Sequence, residues 1–158
     1  MAIKHDIIFL FDVDNTLLDN DRVRAHLREH LAKDYGTATR DRYWEILNEL
    51  HDELGYFDYL GALERYRLEA MHRPEVLRIS NWMVDYPFAE RLYPRTFEAI
   101  KHVGRWGPAV ILSDGDAVFQ PRKVERSGLW EAVDGRVLIY IHKERELHYV
   151  EQLYPADH

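Results

Sequence analysis

At 158 residues, with 46% hydrophobic and 13% aromatic content, the chain can bury one core plus an inserted subdomain, which excludes a disordered polymer. Its 21 basic and 28 acidic residues give a net charge of −7, which disfavours nonspecific nucleic-acid binding; with no cysteine, disulfides, a thiolate nucleophile and cysteine zinc sites are excluded. No apolar run approaches the length of a bilayer span, and Met1-Ala2-Ile3-Lys4-His5-Asp6 leads into the first apolar segment with no secretory signal, so a cytoplasmic protein without a membrane partner is expected.

The first element is Ile7-Ile8-Phe9-Leu10-Phe11, an apolar run that predicts a fully buried strand at the centre of a parallel sheet. Asp12-Val13-Asp14-Asn15-Thr16 follows at once. Ligands of open α/β sheets bind outside the carboxyl ends of the strands. Strand side chains alternate, so Asp12 and Asp14 face one crevice if the extended geometry persists into the turn. Two acids facing one crevice do little for stability and much for chemistry. The competing reading is a turn in which Asp12, Asp14 and Asn15 cap a following helix.

From Asp19 to Tyr93 the chain reads almost entirely helical. Val23, Leu27 and Leu31 recur before Gly36, a candidate C-cap. Tyr43, Ile46, Leu47, Leu50 and Leu54 mark a stronger helix ending at Gly55, and Leu60, Leu63, Tyr66, Ala70 and Met71 a third, stopped by Pro74. A fourth is predicted over 75–83. Successive helices without a strand suggest a small bundle with its own core. Arg22, Arg24, Arg65, Arg67, Tyr56, Phe57, Tyr59 and Trp82 are candidate ligand contacts, most of the charged ones reading as solvated faces. His26 and His30 have the i, i+4 spacing of a metal pair, but without a third ligand they too read as a solvated face.

Pro108-Ala109-Val110-Ile111-Leu112-Ser113-Asp114-Gly115 predicts a second buried strand that ends in a hydroxyl and a glycine turn. Residues 118–129 read as a helix, with Pro121 near its start and Gly128 near its end. Lys123 falls mid-helix and is expected to be solvated. Val137-Leu138-Ile139-Tyr140-Ile141 predicts a third strand, followed directly by Lys143, and 146–153 a last helix.

Asp12-x-Asp14-x-Thr16, Ser113, the stretch Gly128-Leu129 to Asp134 and Lys143 together resemble motifs I to III of the haloacid dehalogenase-like phosphohydrolase superfamily. The resemblance implies an α/β fold: a Rossmann-like three-layer core with a parallel sheet, formed by 1–18 and 94–158, and an inserted all-helical cap, 19–93, that closes over the site. It implies a phosphatase in which Asp12 is nucleophile and Mg2+ ligand. Asp14 would be the acid and base, with its backbone carbonyl a second metal ligand. Lys143 offsets negative charge, Ser113 orients the phosphoryl group with the nearby backbone N–H groups of Asp114 and Gly115, and Thr16 ties down the turn. Many relatives have proline after the lysine; Glu144 stands here, and a different local turn is expected. The fourth motif, an acidic pair after a fourth strand, does not occur in the 158 residues. The expectations are therefore a piece of a longer protein, or a noncatalytic phosphate-binding module, with an unpaired outer edge on the first strand.

Charge supports the metal. A carboxylate and a phosphate dianion about 4 Å apart repel by about 4 kcal/mol per charge pair at an effective dielectric near 20. Magnesium suits a site built of carboxylates and phosphate. The family's dehalogenases lack an acid two positions after the nucleophile, because a halide leaves without a proton and an alkoxide does not. Asp14 therefore favours a small-molecule phosphate as substrate over a halogenated acid. A phosphomutase would use the same residues, and substrate identity and oligomeric state stay open.

Overall fold

The structure, a computed structural model, describes residues 4–158; residues 1–3 of the predicted 1–18 segment, and with them the Met1-Ala2-Ile3 start, lie outside the described residues. Three parallel strands, β1 (Phe9–Phe11), β2 (Ala109–Asp114) and β3 (Val137–Tyr140), form a sheet in the order β1-β2-β3. Phe11 pairs with Ile111 and Ser113 with Ile139.

β1 is not the buried central strand its apolar run predicts. It is three residues long and Leu10 is 45% exposed, whereas β2 holds the centre and is buried from Ala109 through Ser113. Apolarity reports burial on a face, not position in strand order. The outer edge of β1 is not fully open either. Residues 155–158 run parallel to the chain there, with the His5 N–H donating to Pro155 (3.0 Å) and the Ile8 N–H to His158 (3.1 Å). Edge N–H and C=O groups find partners wherever chain is at hand.

The predicted helices form between β1 and β2. α1 (Asn20–Tyr35) buries Val23, Leu27 and Leu31; α2 (Thr37–Leu54) buries Tyr43, Ile46, Leu47 and Leu50; α3 (Tyr59–Glu69) buries Ala62, Leu63 and Tyr66. Spacings of three and four place each set on one face. Asp19 caps α1 by accepting from the Arg22 N–H (3.0 Å), and Asp58 caps α3 by accepting from Gly61 (2.7 Å). Gly55 takes the left-handed cap conformation (φ 81°, ψ 5°), while Gly36 (φ 95°, ψ 155°) is a one-residue joint between α1 and α2.

The predicted fourth helix divides into a 3₁₀ turn at Pro74–Leu77 and α4 (Arg78–Asp85). The aromatic face of α4 also overturns the solvated reading of the histidines. His30 stacks on Trp82 (centroids 4.7 Å apart), and His26 Nδ1 lies 2.5 Å from the Tyr86 hydroxyl.

The two connections between sheet and bundle run side by side. The Tyr93 N–H donates to Leu17 (2.9 Å) and the Asp19 N–H to Arg91 (2.8 Å). α5 (Thr96–Val103) follows, a helix to which the sequence patterns assigned nothing. The helix predicted over 118–129 splits into α6 (Phe119–Arg126) and α7 (Leu129–Ala132) at Gly128, whose φ is 85°. After β3, Lys143–Arg145 form a 3₁₀ turn and α8 spans Leu147–Leu153. One hydrophobic cluster runs from Val13 and Leu17 through the bundle to Ile111 and Val133. Among the described residues no helix is long and apolar enough to cross a membrane.

Candidate active site

The chain leaves β1 in a tight loop. The N–H groups of Thr16, Leu17 and Leu18 converge on the Val13 carbonyl (3.1, 2.9 and 3.1 Å), and Asn15 takes φ 58°. The Asn15 side-chain oxygen accepts from the Asn20 and Asp21 N–H groups (2.9 and 3.2 Å), so this residue does cap α1. The two acids serve otherwise. Lys143 Nζ lies 2.5 Å from Asp12 Oδ1, Lys123 Nζ lies 2.7 Å from Asp14 Oδ1, and the Thr16 hydroxyl donates to Asp12 Oδ2 (3.0 Å).

The solvated reading of Lys123 is overturned. The residue is 0% exposed, and its ammonium donates to Asn20 Oδ1 (2.9 Å) as well as to Asp14. A buried ammonium persists only where oxygens compensate it, and the acid at the strand end and the first residue of α1 supply them. Phe119, Gln120, Lys123 and Val124 form the buried face of α6. Gln120, unnoticed in the sequence, donates from Nε2 to Ser113 Oγ (2.9 Å) and lies 3.3 Å from Asp14 Oδ2. Its place three residues before Lys123 on one helix face was the available signal.

Ser113 is buried at the end of the central strand. The Asp114 carboxylate accepts from the Lys143 backbone N–H (2.7 Å), so it holds the lysine's turn. The Gly115 N–H donates to Tyr140 (2.9 Å) and extends the ladder with β3. Strand alternation then turns the Asp114 N–H toward the β1 side, where the acids lie. A Cβ at Gly115 would stand 2.5 Å from Gln120 Cβ, so this glycine makes room for the glutamine stem.

Core and bundle enclose a cavity of about 210 Å³ lined by Asp12, Asp14, Asn20, Ser113, Asp114, Gly115 and Gln120 on one side and by His51, Gly55, Tyr56, Phe57 and Tyr59 on the other. Of the aromatic candidates, Tyr56, Phe57 and Tyr59 reach it; Trp82 is spent on His30. Arg24 lies behind, its guanidinium 4.1 Å over the Phe57 ring and donating to the Tyr59 hydroxyl (3.2 Å). Arg65 pairs with Glu53 (2.7 Å), Arg67 with Glu64 (2.8 Å), and Arg22 gives its backbone N–H to Asp19. His51, a further unanticipated residue, stacks on Phe57 with centroids 4.1 Å apart. Burial pushes the Tyr59 hydroxyl up from its ordinary pKa, keeping it neutral and a hydrogen-bond partner.

Three carboxylates (Asp12, Asp14, Asp114) and two ammoniums (Lys123, Lys143) leave the strand ends with one net negative charge. Among the described residues no group of three or more His, Cys, Asp or Glu is arranged to hold a metal by itself. The donors still fit magnesium, which takes hard oxygens and is typically held by one or two carboxylates, waters and substrate phosphate. Each Asp12 oxygen keeps a lone pair beyond the bond it accepts.

No family model matches the chain, and none of the curated proteins does. Among solved structures, a haloacid dehalogenase-like hydrolase from Burkholderia xenovorans LB400 matches at 59% identity with a TM-score of 0.92, over 96% of this chain and 69% of that one. The chain belongs to the haloacid dehalogenase-like hydrolases. Two more distant structures share the fold of this haloacid dehalogenase-like chain. The HAD-hydrolase YfnB from Bacillus subtilis, bound to magnesium, is 18% identical with a TM-score of 0.59, over 96% of this chain and 74% of its own. The L-2-haloacid dehalogenase from Xanthobacter autotrophicus, with chloropropionic acid covalently bound, is 18% identical with a TM-score of 0.53, over 92% and 64%.

Proposed function

We propose that this haloacid dehalogenase-like hydrolase cleaves a small-molecule phosphate monoester through an aspartyl-phosphate, with magnesium as cofactor and residues 19–93 acting as cap over a core formed by 1–18 and 94–158. The observation that carries the reading is the second carboxylate. Asp14 lines the same cavity as Asp12 and is clamped by Lys123 and Gln120. An alkoxide needs a proton to leave; a halide does not.

Asp12, beside Lys143, attacks phosphorus as the bond to the ester oxygen breaks, and Asp14, which must enter the cycle protonated, hands its proton to the departing alkoxide and becomes the carboxylate that Lys123 stabilises. Water then attacks the phosphorus of the aspartyl-phosphate while Asp14 takes up the proton, which frees phosphate and restores Asp12. The Lys143 ammonium offsets the charge on Asp12 and the phosphoryl oxygens, and Ser113, oriented by Gln120, donates to one of them. The Asp12 carboxylate and the Asp14 backbone carbonyl would hold magnesium, which when bound would supply positive charge to offset the nucleophile and the phosphoryl group. The substrate is a soluble small molecule in the cytoplasm, with neither nucleic acid nor membrane as partner.

The test is release of phosphate from p-nitrophenyl phosphate by the full gene product, with and without magnesium, beside Asp12→Asn. Turnover that needs both the metal and Asp12 is expected. Chloride release from a 2-chloro acid without phosphatase turnover would move the assignment to dehalogenation, and silence in both assays to a binding module.

A further inference from the structure

Resting on the phosphatase reading, the geometry points to a narrower substrate class: we propose that the site takes compact phosphate esters whose leaving group is uncharged, and rejects those carrying a second anionic group. Two observations carry this. The cavity of about 210 Å³ falls below the roughly 300–1,000 Å³ of clefts that accept larger ligands. A space of this size suits a phosphoryl group with a short or flat leaving group.

The second observation is charge. Both lysines near the phosphoryl position are already paired with Asp12 and Asp14. The cap side of the lining is His51, Gly55, Tyr56, Phe57 and Tyr59, with no lysine or arginine among them. Arg24, the near cation of α1, is not among the lining residues, and its guanidinium is engaged by the Phe57 ring and the Tyr59 hydroxyl. A second carboxylate or phosphate on the substrate would therefore lie against aromatic rings and the Asp114 side, with no lysine or arginine among the described lining residues to balance it, which disfavours such substrates. A neutral leaving group would instead cover the rings.

Tyr56 sets the limit of size. It lines both this cavity and a separate groove of about 840 Å³ bordered by Pro121, Tyr140, His142 and Arg145. Gly115 borders both spaces as well, and Tyr56 is the shared residue with a side chain to remove. Substituting it should open the site toward Arg145, and placing a cation there should reverse the charge preference.

The experiment compares kcat/KM of the full gene product, with magnesium, on phenyl phosphate, glycerol 2-phosphate, 3-phosphoglycerate and adenosine 5′-monophosphate, for wild type, Tyr56→Ala and Tyr56→Arg. The two compact neutral esters should exceed the other two by at least tenfold in the wild type. Tyr56→Ala should raise relative activity on the nucleotide and Tyr56→Arg that on 3-phosphoglycerate. Wild-type activity on 3-phosphoglycerate or the nucleotide equal to that on phenyl phosphate overturns the class while leaving the phosphatase reading intact. No turnover of any ester by the folded protein overturns both.

Discussion

The two sides of the cavity are built on opposite principles. At the strand ends the groups are charged and engaged: Asp12 with Lys143, Asp14 with Lys123, Asp114 with the Lys143 backbone. Across from them His51, Phe57 and Tyr59 present rings stacked or tilted on one another, backed by Arg24. The first side is set by electrostatics that tolerate no missing partner. The second is set by contact area and shape, which tolerate change gradually. On the proposed reading, chemistry belongs to the first and selection to the second.

That contrast can be broken most severely at Asp12. Asp12→Asn should lower phosphatase kcat by on the order of 10⁴-fold or more while shifting the melting temperature by about 4 °C or less, since an amide cannot attack phosphorus. The two lysines should then separate stability from activity. Lys123→Met leaves Asp14 without its buried partner and should cost about 3 kcal/mol in urea unfolding. Lys143→Met removes a part-exposed pair, so it should cost about 1 kcal/mol or less while reducing kcat by at least tenfold. Equal stability losses for the two would sink the distinction.

Gly55→Ala sharpens the comparison where the sides touch. The residue sits at φ 81°, and its new Cβ would stand 2.7 Å from His142 Cε1. A cost of about 1 kcal/mol is expected from the left-handed backbone, with KM rising more than kcat falls.

The smallest effect should come from the remote side of the helical bundle. Burial on Trp82 pushes the His30 imidazole below its ordinary pKa of 6.5, against the pull of Asp34. The folded chain therefore prefers the neutral ring. Its contribution is complete above about pH 6.5 and is lost as pH falls through the lower folded value. Melting temperature should decline from pH 6.5 toward about pH 5 in the wild type, and His30→Gln should flatten that slope. An unchanged slope would remove His30 as the cause.

Much of this molecule could be read from residue order. The helices of the 19–93 insertion announce themselves because each must bury one stripe, and a stripe has a period: Val23, Leu27 and Leu31 on α1, Tyr43, Ile46, Leu47 and Leu50 on α2. The motif residues Asp12, Asp14, Ser113 and Lys143 were legible because they follow apolar strands directly, and parallel strands deliver their carboxyl ends to one place. Lys123 and Gln120 were not legible as site residues. They lie on a helix whose inner face is known only once α6 is seen packed against the strand ends and α1.

The partial exposure of the first strand escaped its apolar run for a related reason. Ile7 to Phe11 is as apolar as Ala109 to Leu112, yet β1 lies at the edge of the described strands and β2 at the centre. Which rings of the helical bundle meet the acids was equally hidden: Tyr56, Phe57 and Tyr59 were candidates beside Trp82, and His51 was none. The sequence by itself determined the elements and the acids at a strand end, because periodicity and adjacency are local properties of a chain. The tertiary structure alone decided which strand is central, which lysine guards which acid, and which rings close the cavity. Those depend on contacts between residues far apart in the chain, such as Asp14 with Lys123 and Asp12 with Lys143, for which local order carries no signal.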